Sequence, residues 1–281
     1  MHRLNAPRTD SAEEIRAFLV ERLKAALPGT SLEARHDQPF RLTVSHPEAG
    51  RLVLNLGNIV QELRGATPVA AEEMVDTFVR LAKRAVAPPK IDYDNVYPGF
   101  RHRAHLDAVK SGVADALVGP GPGDLITVVL ADQGDCVATL NETTVRAAGF
   151  DPEDILLAAE QNLVDILPNA FCAGTSDDDV LSLGLSDFPW LGTSVLLVPS
   201  LISRVMEEKG WDHVLLAAPT RETVDLVDAE RADAARAMER WMMTSLAGPR
   251  TQSEVVYSFR CNDTIYRKSY RVADGELYRL N

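Results

Sequence analysis

Two spacings of apolar residues alternate along this chain. Ile15, Phe18, Leu19, Leu23 and Ala26 recur every third or fourth position, which puts them on one face of a helix. Thr9, Asp10 and Ser11 ahead of Glu13 and Glu14 give that helix its start signal, and Pro28-Gly29 its stop. Phe40, Leu42 and Val44 then alternate with Arg41 and Thr43, and Leu52, Leu54 and Leu56 with Val53 and Asn55, and this predicts two strands joined by a turn at 46–50. A short helix is predicted at 58–64. A longer one follows at 68–86, with Pro68 at its start and Val69, Met74, Val75, Phe78, Val79 and Ala82 as its apolar stripe.

Ala87-Pro88-Pro89-Lys90 ends this helix, because tandem prolines fit neither a helix interior nor its hydrogen bonds. A domain boundary is expected there, giving a small N-terminal domain at 1–88 and a larger one at 89–281. In the second part, strands are predicted at 125–131 and 136–140, around Gln133-Gly134-Asp135. Helices follow at 143–148 and 152–167, the latter opened by Asp151-Pro152. Further strands are expected at 170–173, 180–185 and 194–198, a helix at 199–208 closed by Gly210, and a hairpin at 214–218 and 223–227. A helix at 229–246 and strands at 255–261, 265–272 and 277–280 complete the chain. Strand, polar turn, strand and helix succeed one another at 40–64, 125–167 and 214–246. Tight turns between successive strands favour antiparallel sheets over parallel βαβ units. The expected class is α+β, with antiparallel sheets built from these repeated units and helices packed on one face.

Charge sharpens the division. The chain of 281 residues has a net charge of −12. Residues 1–88 contribute +1, residues 89–247 contribute −15 and residues 248–281 contribute +2. The acidity argues against nucleic acid and anionic membranes as partners and leaves a basic protein or a cation as the matching one. No apolar run is long enough to span a bilayer, and Arg3 and Arg8 are not followed by the apolar stretch of a secretory signal. Cys136, Cys172 and Cys261 are few, odd in number and far apart, which argues against a disulfide framework and suits three small buried side chains. A cytoplasmic location is expected.

Several stretches of the second part resemble a bacterial family called domain of unknown function 1444. Asn95-Val96-Tyr97-Pro98-Gly99-Phe100-Arg101 is similar to its opening, a Tyr-Pro pair followed by a hydrophobic residue and Arg. The hairpin from Val214 to Arg221-Glu222 is similar to its apolar strand and Pro-x-Arg-Asp turn, with Glu222 in place of Asp. Ala158–Leu163, with Asn162, resembles its Ala-x-x-Asn-Leu helix, and Asp274-Gly275-Glu276-Leu277 its closing turn. Ser203-Arg204 fits less well, since the family's Ser-Arg pair sits earlier relative to the strand. The resemblance covers about 90–281 and implies a cytoplasmic α+β protein. It brings no established reaction.

The candidate chemistry is sparse. Gly119-Pro120-Gly121-Pro122-Gly123-Asp124 is rich in glycine, but its prolines lack the N–H groups a phosphate cradle needs, and a strand follows it. It reads as a turn. His102 and His105, three positions apart, would share one face of a helix but have no third ligand. Ser176-Asp177-Asp178-Asp179 lacks the alternating ligands of a calcium loop. Asp132, Asp135 and Glu142 lie near one hairpin and could serve as acid and base if a cleft held them together. Trp241 with Met238, Met242 and Met243 has the spacing of a helix core.

The residues selected for binding are Tyr97, Arg101, His102, Arg221 and Glu222, which either converge on one pocket or scatter. No catalytic residue, metal or cofactor is identified. The expected function is that of a non-enzymatic protein-binding or adaptor module, with a protein partner or a homo-oligomer. A metal-assisted hydrolase using carboxylates or histidines of the second domain is one alternative. An immunity-type protein holding a basic toxin is another.

Overall fold

The structure is a computed structural model that describes residues 11–35, 38–46, 50–103, 116–134, 136–174, 180–246, 253–261 and 268–280. It is an α+β fold with antiparallel sheets. The described residues group into two compact units. One contains those of 1–91 and 131–138, the other those of 92–103, 116–130 and 139–280.

In the first unit, helix α1 (Ala12–Ala26) is capped by Ser11, whose side chain accepts from the Glu14 N–H. It buries Ile15, Leu19 and Leu23. Strands β1 (Ser31–Arg35), β2 (Gln38–His46) and β3 (Gly50–Asn55) form an antiparallel sheet in that order. Helices α2 (Gly57–Leu63) and α3 (Pro68–Val86) follow, and Thr67 caps α3. Leu42 and Val44 join Ile15, Leu19, Leu23 and Val75 in a single core. Arg22 of α1 pairs with Asp76 of α3. Strand β1 is not visible in the apolar pattern, because Ser31-Leu32-Glu33-Ala34-Arg35 has one large apolar residue. Its pairing of Leu32 with Val44 and of Ala34 with Leu42 places it against β2.

The second unit begins with a turn of 3-10 helix, Tyr93–Asn95, and strand β4 (Val96–His102). Strands β5 (Val118–Pro120) and β6 (Leu125–Asp132) complete a small sheet in the order β4-β6-β5, with the short β7 (Val137–Thr139) also on β6. Helices α4 (Glu142–Ala147) and α5 (Pro152–Ile166) come next. The remaining strands are β8 (Ala170–Gly174), β9 (Leu181–Leu185), β10 (His213–Ala217), β11 (Thr223–Asp228), β12 (Val255–Arg260), β13 (Lys268–Ala273) and β14 (Glu276–Arg279). They form one antiparallel sheet in the order β14-β13-β12-β10-β11-β9-β8.

Alternation along these strands sorts their side chains onto two faces. Leu215, Ala217, Val227 and Val256 pack under helix α7 (Ala234–Leu246) with Ala237, Met238 and Met242. Val214, Leu216, Val224, Leu226, Tyr257 and Phe259 alternate with them and are also buried. Helix α6 (Pro199–Lys209) ends at Gly210, which adopts the left-handed conformation.

Two predicted elements differ. Residues 194–197 of the strand expected at 194–198 belong to a 3-10 helix from Pro189 to Leu197, and Val198 follows its end. Its residues Leu191–Leu196 are all buried, so their apolar run carries no alternation that distinguishes a strand. The helix expected from 229 begins at Ala234. Before it, the Asp228 carboxylate accepts from the Glu230 N–H and holds the chain in a turn. The hairpin turn at 47–49 and the strand residues 265–267 lie outside the described residues. Among the described residues no single helix is long and apolar enough to cross a membrane.

Candidate functional site

Strand β4 carries three of the five residues selected from sequence. Asn162 of α5 fixes its start, donating its side-chain amide to the carbonyls of Tyr93 at 2.6 Å and Val96 at 2.8 Å. Tyr97, Gly99 and Arg101 share one side of the strand, and Pro98, Phe100 and His102 the other. Tyr97 is buried against Phe188 and Trp190, with ring centroids 5.5 and 5.8 Å away. A methyl group at Gly99 would overlap the Leu130 side chain, so this glycine lets β4 approach its neighbour closely.

Arg101 is 7% exposed. Its Nη1 donates to the carbonyl of Phe100 at 2.7 Å. Burial first, and then the charge of Arg221, pulls its pKa down to about 9. Backbone hydrogen bonds lead from the β10–β11 turn to β4. The carbonyl of Arg221 accepts from the Thr193 N–H at 3.1 Å. The next side chain, Ser194, donates its hydroxyl to the carbonyl of Pro98 at 2.8 Å. Gly192 lies so close to the Glu222 carbonyl that any side chain there would overlap it. Arg101, Arg221 and Glu222 are thus gathered around the 3-10 segment Pro189–Leu197, the segment whose Trp190 packs on Tyr97.

His102 belongs to a different cluster on the other side of β4. Its Nε2 lies 3.1 Å from Oδ2 of Asp124. Oδ1 of Asp124 accepts from the Ser253 hydroxyl at 2.8 Å and from the Tyr257 hydroxyl at 3.0 Å. The glycine- and proline-rich loop positions this carboxylate. Gly121 packs against the Leu125 carbonyl, and Gly123, at φ +55°, has no room for a Cβ beside Tyr257. The loop is a turn, as read from sequence, and its final residue collects three partners. Asp124, Ser253 and Tyr257 were not selected from sequence. The available signal was a carboxylate closing a turn rich in glycine and proline.

The remaining candidates sit apart from both clusters. His102 ends a strand, so the helical face expected for His102 and His105 is not its setting, and His105 lies outside the described residues. Asp132 accepts from the Gly134 N–H in its own turn, and Glu142 faces Arg146 one helical turn on. Asp135 and Ser176-Asp177-Asp178-Asp179 lie outside the described residues. Among the described residues no group of three His, Cys, Asp or Glu side chains could hold a metal ion. Met238 and Met242 are core residues, whereas Met243 is exposed. The cysteines are free thiols, and none is fully buried as the sequence suggested: Cys136 and Cys261 are half-buried, and Cys172, on the edge strand β8, is exposed. In the first unit, a groove of about 520 Å³ runs along α2 and α3, lined by Ile59, Met74, Phe78 and Leu81 with Glu62 and Glu73.

The two edges of the seven-stranded sheet differ. Strand β14 carries Glu276 and Arg279. Strand β8, Ala170-Phe171-Cys172-Ala173-Gly174, carries no charge and is exposed from Phe171 to Gly174. Helix α5, which precedes it, has Glu153, Asp154, Glu160 and Asp165 and no Lys or Arg, and it exposes Leu156, Leu157 and Val164.

Comparison of the chain with protein-family models, with curated proteins and with solved structures finds no match.

Proposed function

We propose that this chain is a cytoplasmic, non-enzymatic protein-binding module of the adaptor type. It receives an extended basic segment of a partner protein as an added strand along β8. The observation that supports this reading is the uncharged, exposed edge of β8 in a sheet whose opposite edge carries Glu276 and Arg279. An edge strand presents unpaired N–H and C=O groups, and soluble proteins ordinarily guard such edges with charge, proline or a bulge. An extended peptide satisfies these groups by strand addition.

Charge selects the partner. Helix α5 carries four acidic residues and no basic one, beside three exposed aliphatic side chains. A second copy of the chain would bring like charges together, whereas a segment alternating basic and apolar residues matches both features. A basic toxin held by an immunity-type protein is one partner of this chemistry. The resemblance to the domain of unknown function 1444 family over about 90–281 belongs to the same reading.

The test is titration of the full chain with a fluorescent peptide of alternating lysine and valine, beside one of glutamate and valine. Saturable binding of the first alone is expected, weakening as salt is added. Ala173→Lys is expected to weaken it at least tenfold. Equal binding of both peptides, or none of either, overturns the reading.

A further inference from the structure

Helix α3 has apolar surface beyond what the core of the first unit covers. Its buried stripe of Ala71, Val75, Ala82 and Val86 packs inward. Ala70, Glu73, Met74, Thr77, Phe78 and Leu81 recur at three- and four-residue spacing and line one side of the groove of about 520 Å³. Ile59 and Glu62 of α2, one turn apart, line the other side. Met74 and Phe78 touch the core with part of their surface and remain half-buried. Val69, one turn before Glu73, is 70% exposed. Apolar side chains on a protein surface are ordinarily scattered singly, and a continuous row of them marks a surface that binds.

Charge and backbone chemistry decide what fits there. The charged side chains that line the groove are both carboxylates, one on each helix. Neither Glu62 nor Glu73 forms an ion pair with a cation of the described residues. The basic residues of α3, Arg80, Lys83 and Arg84, do not line it. A second copy of this chain laid groove to groove would set these carboxylates against each other, a like-charge contact. An extended peptide would find no partners for its backbone, because the N–H and C=O groups in the middle of α3 are paired within the helix. A helix keeps its backbone bonds within itself and offers an apolar stripe. From Ala70 to Leu81 the groove follows α3 for roughly 16 Å, the rise of about three helical turns.

We propose that the groove between α2 and α3 docks an amphipathic helix of a partner protein. The apolar side chains of that helix, at i, i+4, i+7 and i+11, fill the groove, and lysine or arginine beside them meets Glu62 and Glu73. Every lining residue belongs to the first unit, so the site is independent of strand addition at β8. An adaptor with both surfaces recognises two segments of different conformation.

Fluorescence anisotropy of the full chain with labelled peptides of about 18 residues tests this. The first peptide carries leucines at the stated spacing with lysines beside them. The second has glutamate for lysine, the third the composition of the first in scrambled order, and the fourth a central proline, which breaks a helix. Saturable binding of the first, at least tenfold tighter than of any other, is expected. Thr77→Arg, at an exposed position within the groove, keeps the fold and is expected to weaken this binding at least tenfold. Glu62→Lys combined with Glu73→Lys, both at exposed positions, is expected to reverse the preference, so that the glutamate peptide binds the tighter. Equal binding of the ordered and scrambled lysine peptides overturns the proposal, as does a preference that the double substitution leaves unreversed. Displacement of the first peptide by the lysine–valine strand peptide also overturns it, since the two would then share the β8 edge. A homodimer in sedimentation that Thr77→Arg abolishes overturns it as well, by assigning the groove to a second copy.

Discussion

Ser182 of β9 donates its hydroxyl to the carboxyl of Asp225 on the neighbouring strand β11 at 2.7 Å. Asp225 is 1% exposed, on the face of the sheet that α7 covers. Burial raises its pKa above the ordinary 3.8, against hydrogen bonds led by that of Ser182 that lower it. The sign of the resulting pH dependence follows from proton linkage. The folded chain binds this proton more tightly than the unfolded one, so the contribution to stability falls as pH rises from 3.8 through the raised value and is constant above it. Asp225→Asn removes the buried charge and keeps an oxygen for Ser182. Its Tm is expected to exceed that of the unsubstituted chain at pH 7, with the difference vanishing below 3.8. Thermal unfolding across this range checks it.

Two glycines of the second unit separate steric from conformational demands. Alanine at Gly192 would place its Cβ inside the van der Waals radius of the Glu222 carbonyl, so backbone must move. Gly149 has φ +87° with nothing within 4 Å of an added Cβ. Gly192→Ala is expected to cost about 3 kcal/mol or more, as an overpacked interior does. Gly149→Ala is expected to cost about 1–2 kcal/mol, the penalty of the left-handed conformation alone. Urea unfolding of the two variants gives the ranking.

The Asp124 cluster makes a related prediction. Tyr257 is fully buried and Ser253 nearly so, and both hydroxyls donate to Asp124. Asp124→Ala leaves both without that acceptor and is expected to cost about 2–4 kcal/mol. The His102 side chain is 42% exposed, and His102→Ala is expected to cost under about 1 kcal/mol. A larger loss from His102 than from Asp124 would contradict the assignment of Asp124 as the hub.

At the far end of the sheet, the β13–β14 turn tests an anchor that lies 35 positions away in sequence. Asp274 and Gly275 both have positive φ, and their N–H groups donate to the Glu239 carboxylate of α7 at 2.8 and 2.6 Å. Glu239→Ala is expected to cost about 1–2 kcal/mol, and faster amide exchange at these two residues would accompany it.

Much of this fold is legible in the spacing of its residues. The α3 span, from Pro68 to Val86, and the β10–β11 hairpin follow from periodicity and punctuation, because local propensity and tertiary packing agree there. Where they disagree the sequence is silent. Ser194-Val195-Leu196-Leu197-Val198 has the composition of a strand, yet its first four residues wind into 3-10 helix between β4 and the β10–β11 turn. Strand β4 itself contains Pro98 and Gly99, which local rules count against a strand, and Asn162 holds it from 66 positions away. The candidate residues divide for the same reason. Arg101, Arg221 and Glu222 come together through the backbone of a segment between them, while strand alternation sends His102 to the opposite side, toward Asp124. That partner was masked by a loop whose glycines and prolines looked sufficient in themselves.

Strand addition at β8 is tested most directly by amide hydrogen exchange of the full chain, with and without the lysine–valine peptide. The account predicts slower exchange in Phe171–Gly174 when the peptide is bound, with no change in Glu276–Arg279 at the opposite edge. Unchanged exchange in β8 under saturating peptide, or equal protection of both edges, would contradict it.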